Sequence, residues 1–180
     1  MDRQRQYRPL RQLASAALCA ALVGLCGCGD LENVFGNPQD RALAKADGIK
    51  VQPFNIGPAS RWQEPGLYLD FADTHDVALV SDHGMLVALL LINPDTGSRV
   101  RYDPISNLFK DPHDGSMYSR DGLLWGDSEG EFSLPRCRVR HLGSLDDPHV
   151  ELQIDPGKRF YFEEKQWSKA ASNHLFVEEE

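Results

Sequence analysis

The stretch Ala88–Tyr118, ALLLINPDTGSRVRYDPISNLFKDPHDGSMY, decides how the rest of the chain is read. Its beginning belongs to a run, Met85 to Ile92, that is apolar throughout, which predicts a central strand buried on both faces. Pro94 and Gly97 then mark a short loop. Arg99–Tyr102 and Leu108–Lys110 read as the two arms of a hairpin, and a second loop follows before a strand at Met117–Ser119. Together with its continuation, the second loop reads KDPHDGSMYSRDG (Lys110–Gly122) and crowds Asp111, His113 and Asp114 into four positions. Those residue types suit a metal site, an acid–base cluster or a solvated turn. A calcium loop of the EF-hand kind needs acids at alternate positions and a later glutamate, and Pro112 and His113 interrupt that order. Zinc would need two or three imidazoles or thiolates, and His113 has no partner nearby in sequence. Read by itself, a loop of Asp, Pro, Gly and Ser is first of all a turn.

Outward from this stretch the pattern is strand and turn. Short apolar runs bounded by Gly, Pro, Asp and Asn predict further strands at Val51–Ile56, Gly66–Phe71, Val77–Val80, Arg136–Leu142, His149–Ile154 and Arg159–Phe162. The chain is expected to be all-β. His149–Ile154 alternates cleanly, which points Val150, Leu152 and Ile154 inward. No internal repeat is evident. The chain carries no Gly-x-Ser-x-Gly elbow, phosphate-binding glycine loop or Cys-x-x-Cys, so hydrolase and nucleotide chemistry lose most of their support. No residue is assigned a catalytic role.

The first 27 residues are not fold material. Arg3, Arg5, Arg8 and Arg11 form a basic start, Leu13–Leu25 is apolar, and small residues follow, the pattern of an export signal. The apolar run falls short of the ~20 residues that span a bilayer. Leu25-Cys26-Gly27-Cys28 resembles a bacterial lipobox, which makes Cys28 the expected lipidated N-terminus of a mature envelope protein. Gly29, not aspartate, follows that cysteine, which favours outer-membrane sorting over inner-membrane retention. Residues 28–48 read as a tether, with a short helix expected at Asp40–Ala46. Removing residues 1–27 takes away four arginines and one aspartate, so the formal charge moves from −8 to −11, and nucleic acid is an unsuitable partner. Only Cys137 then remains beside the acylated Cys28, so no intrachain disulfide is expected. About 150 residues suffice for one compact domain, assigned to 49–165, with 166–180 as an acidic tail ending in Glu178–Glu180.

The central stretch resembles the cluster-binding half of a Rieske iron–sulfur domain. That family carries two loops, Cys-x-His-x-Gly-Cys and Cys-Pro-x-His-Gly-Ser, joined by a hairpin that often holds an Arg-Tyr-Asp-like stretch. Asn93–Ser98 matches the first loop without a gap, Asp111–Ser116 the second, and Arg101-Tyr102-Asp103 lies in the hairpin. Downstream, Arg120-Asp121-Gly122 sits where the family turns out of the second loop, and Leu134–Val139 is similar to its Leu-Pro-x-Tyr-x-Val strand. The tail, with Lys158-Arg159-Phe160, Gln166-Trp167 and Phe176-Val177, is similar in style to Rieske subunits of quinol-oxidising cytochrome bc complexes. The resemblance spans roughly residues 50 to 165 and implies stacked antiparallel sheets with a cluster-binding-type subdomain at 88–124.

Every ligand position of that family is altered. A Rieske cluster hangs one iron on two thiolates and the other on two imidazoles. Here the thiolate positions carry Asn93 and Asp111, and the imidazole positions carry Asp95 and Asp114. The cysteines of the family's loop–loop disulfide are replaced by Ser98 and His113, and the Gly-Pro-Ala-Pro third loop by Gly126–Glu129. Oxygen donors do not reproduce soft thiolates and imidazoles, so the 2Fe-2S cluster is expected to be absent. Ser116 and Tyr118 keep the two positions that donate hydrogen bonds to cluster sulfurs in high-potential members, and are read as structural. The resemblance implies a cluster-free docking or structural component of a membrane or periplasmic, electron-transfer-like complex. Two alternatives stand beside it: a Ca²⁺ or Mg²⁺ site built from Asn93, Asp95, Asp111 and Asp114, and Rieske-type electron transfer, which the missing ligands disfavour.

Overall fold

The computed structural model describes residues 52–175, apart from 129, 145, 146 and 148. The expected export signal with Cys28, the expected tether, Glu129 and the residues after 175 lie outside that set. Ten strands appear: β1 (Phe54–Pro58), β2 (Gly66–Tyr68), β3 (Val77–Asp82), β4 (Met85–Leu90), β5 (Arg101–Asp103), β6 (Leu108–Lys110), β7 (Met117–Tyr118), β8 (Arg136–Leu142), β9 (Glu151–Phe160) and β10 (Asn173–Leu175). One short helix, α1, spans Ala72–His75, and single 3-10 turns cover Ala59–Trp62 and Ala170–Ser172. The domain is all-β and antiparallel. No helix among the described residues is long and apolar enough to cross a membrane.

The strands form a large sheet in the order β1-β9-β8-β4-β3-β2 and a small sheet in the order β5-β6-β7. β4 is the hub, buried on both faces as its unbroken apolar sequence predicts. Leu86, Ala88 and Leu90 point into one core cluster with Ile56, Leu79, Val139, Leu152 and Ile154. Val87 and Leu89 point the other way, into a cluster with Val80, Phe109, Tyr118 and Leu134 that seats the small sheet. Alternation leading into β9 holds too, since Val150, just before the strand, and Leu152 and Ile154 on it are all buried. The burial is apolar and dense, so the fold draws its stability from core packing. Cys137 sits inside the first cluster, and burial pushes its thiol up to about 12, which leaves it an inert core residue.

Three elements differ from their sequence expectation. The run Gly66–Phe71 stays a strand only to Tyr68; the chain then turns into α1, which ends at Asp76 in a left-handed conformation (φ 54°). The two separate strands expected at 149–154 and 159–162 are one strand, β9. Its pairing with β8 jumps from Cys137↔Arg159 to Arg138↔Asp155, so an irregularity absorbs Pro156, Gly157 and Lys158, of which the first two read as a break in sequence. Within 166–180, expected as an acidic tail, Asn173–Leu175 returns to the sheet as β10. β8 meets β4 at the single pair Leu89↔Arg136, and β10 pairs with Met85–Val87 where the two diverge. His141 on β8 and His174 on β10 meet across this fork with Nε2 and Nδ1 2.6 Å apart, a contact that requires one ring to donate and the other to accept. Burial and the His141 ring together lower the pKa of His174 to about 4.

Candidate functional site

Asn93–Ser98 leaves the end of β4, and Asp111–Ser116 joins β6 to β7, so the two sheets bring both loops together at one tip. The loops are built alike. In the first, the Asn93 N–H donates to the Ser98 carbonyl (2.8 Å) and the Gly97 N–H to the Asn93 carbonyl (2.8 Å); in the second, Asp111 N–H donates to Ser116 (2.8 Å) and Gly115 N–H to Asp111 (3.0 Å). Gly97 and Gly115 take the same left-handed conformation, φ 77° and 79°, which is where a glycine is needed. The side chains repeat the pattern. Asn93 Oδ1 accepts from Asp95 N–H (2.8 Å), as Asp111 Oδ1 accepts from His113 N–H (2.7 Å). Thr96 Oγ1 accepts from Ser98 N–H (3.2 Å), as Asp114 Oδ1 accepts from Ser116 N–H (2.8 Å).

No internal repeat is evident in the sequence, yet the two loops read Asn-Pro-Asp-Thr-Gly-Ser and Asp-Pro-His-Asp-Gly-Ser. Six residues is too short for a periodicity to register, and the shared Asx-Pro-x-x-Gly-Ser pattern was the signal available. Its first position carries the inter-loop bond.

Asn93 and Asp111 are both essentially fully buried. The Asn93 amide donates from Nδ2 to Asp111 Oδ2 (2.6 Å) and to Asp114 Oδ2 (2.9 Å). Its orientation is fixed by chemistry: flipped, its oxygen would face two carboxylates and its nitrogen the Asp95 N–H. Asp111 Oδ2 also accepts from Thr96 Oγ1 (3.1 Å) and from Ser98 Oγ. Burial alone would raise the Asp111 pKa, but donors from Ser98, the His113 backbone, Asn93 and Thr96 together hold it below the usual carboxylate range. Asp95 faces the segment after β7, where its Oδ2 accepts from the backbone N–H of Glu131 (2.8 Å) and Phe132 (3.4 Å). Burial raises its pKa; the two N–H groups oppose the rise, and Glu131 and Asp114 add to it.

The remaining expected residues divide clearly. His113 projects outward, is exposed and makes no ring hydrogen bond among the described residues, which removes the base–orienter contact that acid–base chemistry needs. Among the described residues no three His, Cys, Asp or Glu side chains converge as metal ligands. Ser116 and Tyr118 are fully buried beneath the loops, and neither hydroxyl has a hydrogen-bond partner of acceptable geometry. The Tyr118 pKa is raised by burial and then by the charges of Asp95 and Asp114; its neighbour Ser116 offsets little of this. Gly130 closes the tip from the side: a methyl group there would lie 3.1 Å from Ser116 Oγ and 3.2 Å from Asp95 Oδ2.

The tip is therefore a closed polar knot in which the carboxylates are engaged as structural acceptors. It can display a surface, and its buried amide and carboxylate, Asn93 and Asp111, are occupied by the loops themselves. No known family model matches the chain, and no curated protein is significantly similar to it.

Proposed function

We propose that this chain is a lipid-anchored, Rieske-like domain without a 2Fe-2S cluster, acting as a docking or structural component of a membrane or periplasmic complex of the electron-transfer kind. One observation carries the reading: the Asn93 amide sits between the second loop's carboxylates and ties together two equivalent loops at the tip. Two loops of matching construction, side by side at the end of a β-scaffold, are what the Rieske resemblance calls for. The side chains at the four ligand positions do not fit the group itself. An amide and three carboxylates offer no soft donor, and Asn93 directs N–H bonds into the space between the loops. No redox step is derived through such a cluster.

The hard-cation alternative draws no support from the same geometry. An amide N–H donor at the centre repels a cation, and Asp111 Oδ2 already serves Asn93, Thr96 and Ser98. Docking suits the tip better, because its outer surface is formed by loop residues such as Thr96, Pro112 and His113 that are exposed, on a knot that keeps them in place. Loops held rigid by a scaffold are common binding surfaces. Cys28 supplies the anchor in this reading, and the cell envelope, outer membrane or periplasm-facing membrane, is its place.

A photo-crosslinker at His113 tests the docking surface. In cells it is expected to capture one discrete envelope protein that the same crosslinker at His83, in the exposed β3–β4 turn, does not. Equal capture from both positions, or none from either, counts against docking through the tip.

A further inference from the structure

Away from the tip, β8 carries the run Arg136-Cys137-Arg138-Val139-Arg140. Cys137 and Val139 face the first core cluster, so strand alternation puts the three arginines on the opposite face. The register agrees: Arg136 lies opposite Leu89 of the second cluster, and Arg138 opposite Asp155. Asp155 is already engaged, with Oδ2 accepting from Arg140 (2.9 Å) and Oδ1 from the Gly157 N–H (3.1 Å). Arg136 and Arg138 make no hydrogen bond or ion pair among the described residues, and the Nε of each is buried without a partner.

Arg136 is the more anomalous of the two. It is 8% exposed, and its guanidinium lies 4.0 Å over the ring of Trp167. Trp167 is fixed in turn by its Nε1 donating to the Phe160 carbonyl (3.1 Å) and by the half-exposed Phe162 ring packed edge-on at 5.1 Å. Burial lowers the Arg136 pKa to about 10, opposed by the charge of Asp121, so the group stays cationic at neutral pH. Asp121 makes no ion pair with it and accepts instead from Ser119 Oγ. A guanidinium stacked on an indole uses only its face, and its in-plane N–H groups still need an acceptor. The Arg136 Nε–H is buried without one, which is costly.

Side chains two apart on a strand stand about 6–7 Å from one another on the same face. That separation lets two guanidiniums bracket one anion at charge-assisted hydrogen-bond distance, and a tetrahedral oxyanion has enough oxygens to accept a fork from each. We propose that Arg136 and Arg138, on the face of β8 turned away from the first core cluster and beside Trp167, bind a phosphate-type oxyanion. The patch stays cationic even with Asp155 and Asp121 both counted against its three arginines, on a chain whose formal charge is −8. The site is separate from the tip and does not depend on the docking reading. Free phosphate and the phosphodiester of a phospholipid headgroup share this chemistry.

Calorimetric titration of the full chain, purified in detergent, with inorganic phosphate and with glycerophosphoglycerol at fixed ionic strength tests the site and separates the two sources. Saturable binding of at least one is expected, weakened tenfold or more in Arg138→Gln, partly restored in Arg138→Lys, and unchanged in Arg61→Gln, which alters an exposed arginine paired with Asp70. Tighter binding of inorganic phosphate identifies a free anion, and tighter binding of the diester a headgroup. Because Arg136 is buried and its replacement risks misfolding, Arg138 carries the test. Absence of binding to both probes, or equal binding by wild type and Arg138→Gln, overturns the site.

Discussion

Along β4 the chain buries Leu86, Ala88 and Leu90 on one face and Val87 and Leu89 on the other; three residues past its end it buries Asn93, and later Asp111, just as completely. The first burial is stabilised by removing hydrocarbon from water. The second is tolerated only because each polar atom has a named partner. The sheets should therefore respond to lost volume and the tip to a lost hydrogen-bond partner, and the sizes of the two responses should differ.

The largest effect is expected in the sheets. Leu152→Ala removes a fully buried side chain from the first cluster and should cost about 3 kcal/mol in denaturant unfolding, while leaving the tip contacts in place. A loss below about 1 kcal/mol would show that this cluster is not the core. Next comes the tip. Asp111→Ala strands the donors of Asn93, Thr96, Ser98 and the His113 backbone, and should cost about 2–3 kcal/mol although less apolar volume is lost. Asn93→Asp sharpens the contrast by facing a new carboxylate toward Asp111 and Asp114. Its pKa should rise above the unfolded value, so its cost, about 2 kcal/mol at neutral pH, should shrink as the medium is acidified and the new carboxyl protonates. A pH-independent cost would show that charge is not what the amide avoids.

The fork between β8 and β10 gives a smaller, pH-dependent effect. The His174 pKa falls from 6.5 in the unfolded chain to about 4 in the fold, so the fold favours the neutral ring. Stability is complete above about pH 6.5 and is lost as the pH falls from there toward 4. At about 1.4 kcal/mol per tenfold change in proton affinity the bound is about 3 kcal/mol, and partial hydration of the rings should reduce it to about 2. His174→Gln should flatten the stability profile over that range; an unchanged slope would place the acid sensitivity elsewhere. The smallest effect belongs to Tyr118→Phe. Its hydroxyl is buried without a partner, so removal should be neutral or stabilising by less than about 1 kcal/mol, measured by thermal unfolding. A loss of about 2 kcal/mol or more would mean that the hydroxyl has an acceptor, with the Ser116 hydroxyl the nearest choice.

Much of the large sheet is legible in the sequence because apolar periodicity carries it: Val150, Leu152 and Ile154 alternate, and Met85–Ile92 has no polar face to expose. Both fall where the pattern puts them. Pro156-Gly157 misleads because an irregularity in the pairing lets a strand pass through residues that usually end one. Asn173-His174-Leu175 has no periodicity to read, since this short strand is made by the gap between β4 and β8 that it fills. At the tip the residues Asn93, Asp95, Asp111 and Asp114 were identifiable, but their roles were not. Whether a carboxylate is free to hold an ion depends on which donors the fold aims at it. The donors here come from Ser98, Thr96 and the backbone of Glu131 and Phe132, up to 37 residues away.

Anaerobic reconstitution of the purified chain with iron and sulfide is the most direct test of the central claim, that the tip is a hydrogen-bonded knot and holds no redox centre. The account predicts a colourless protein with no visible cluster absorbance and no paramagnetic signal after reduction. A stable 2Fe-2S spectrum would contradict it.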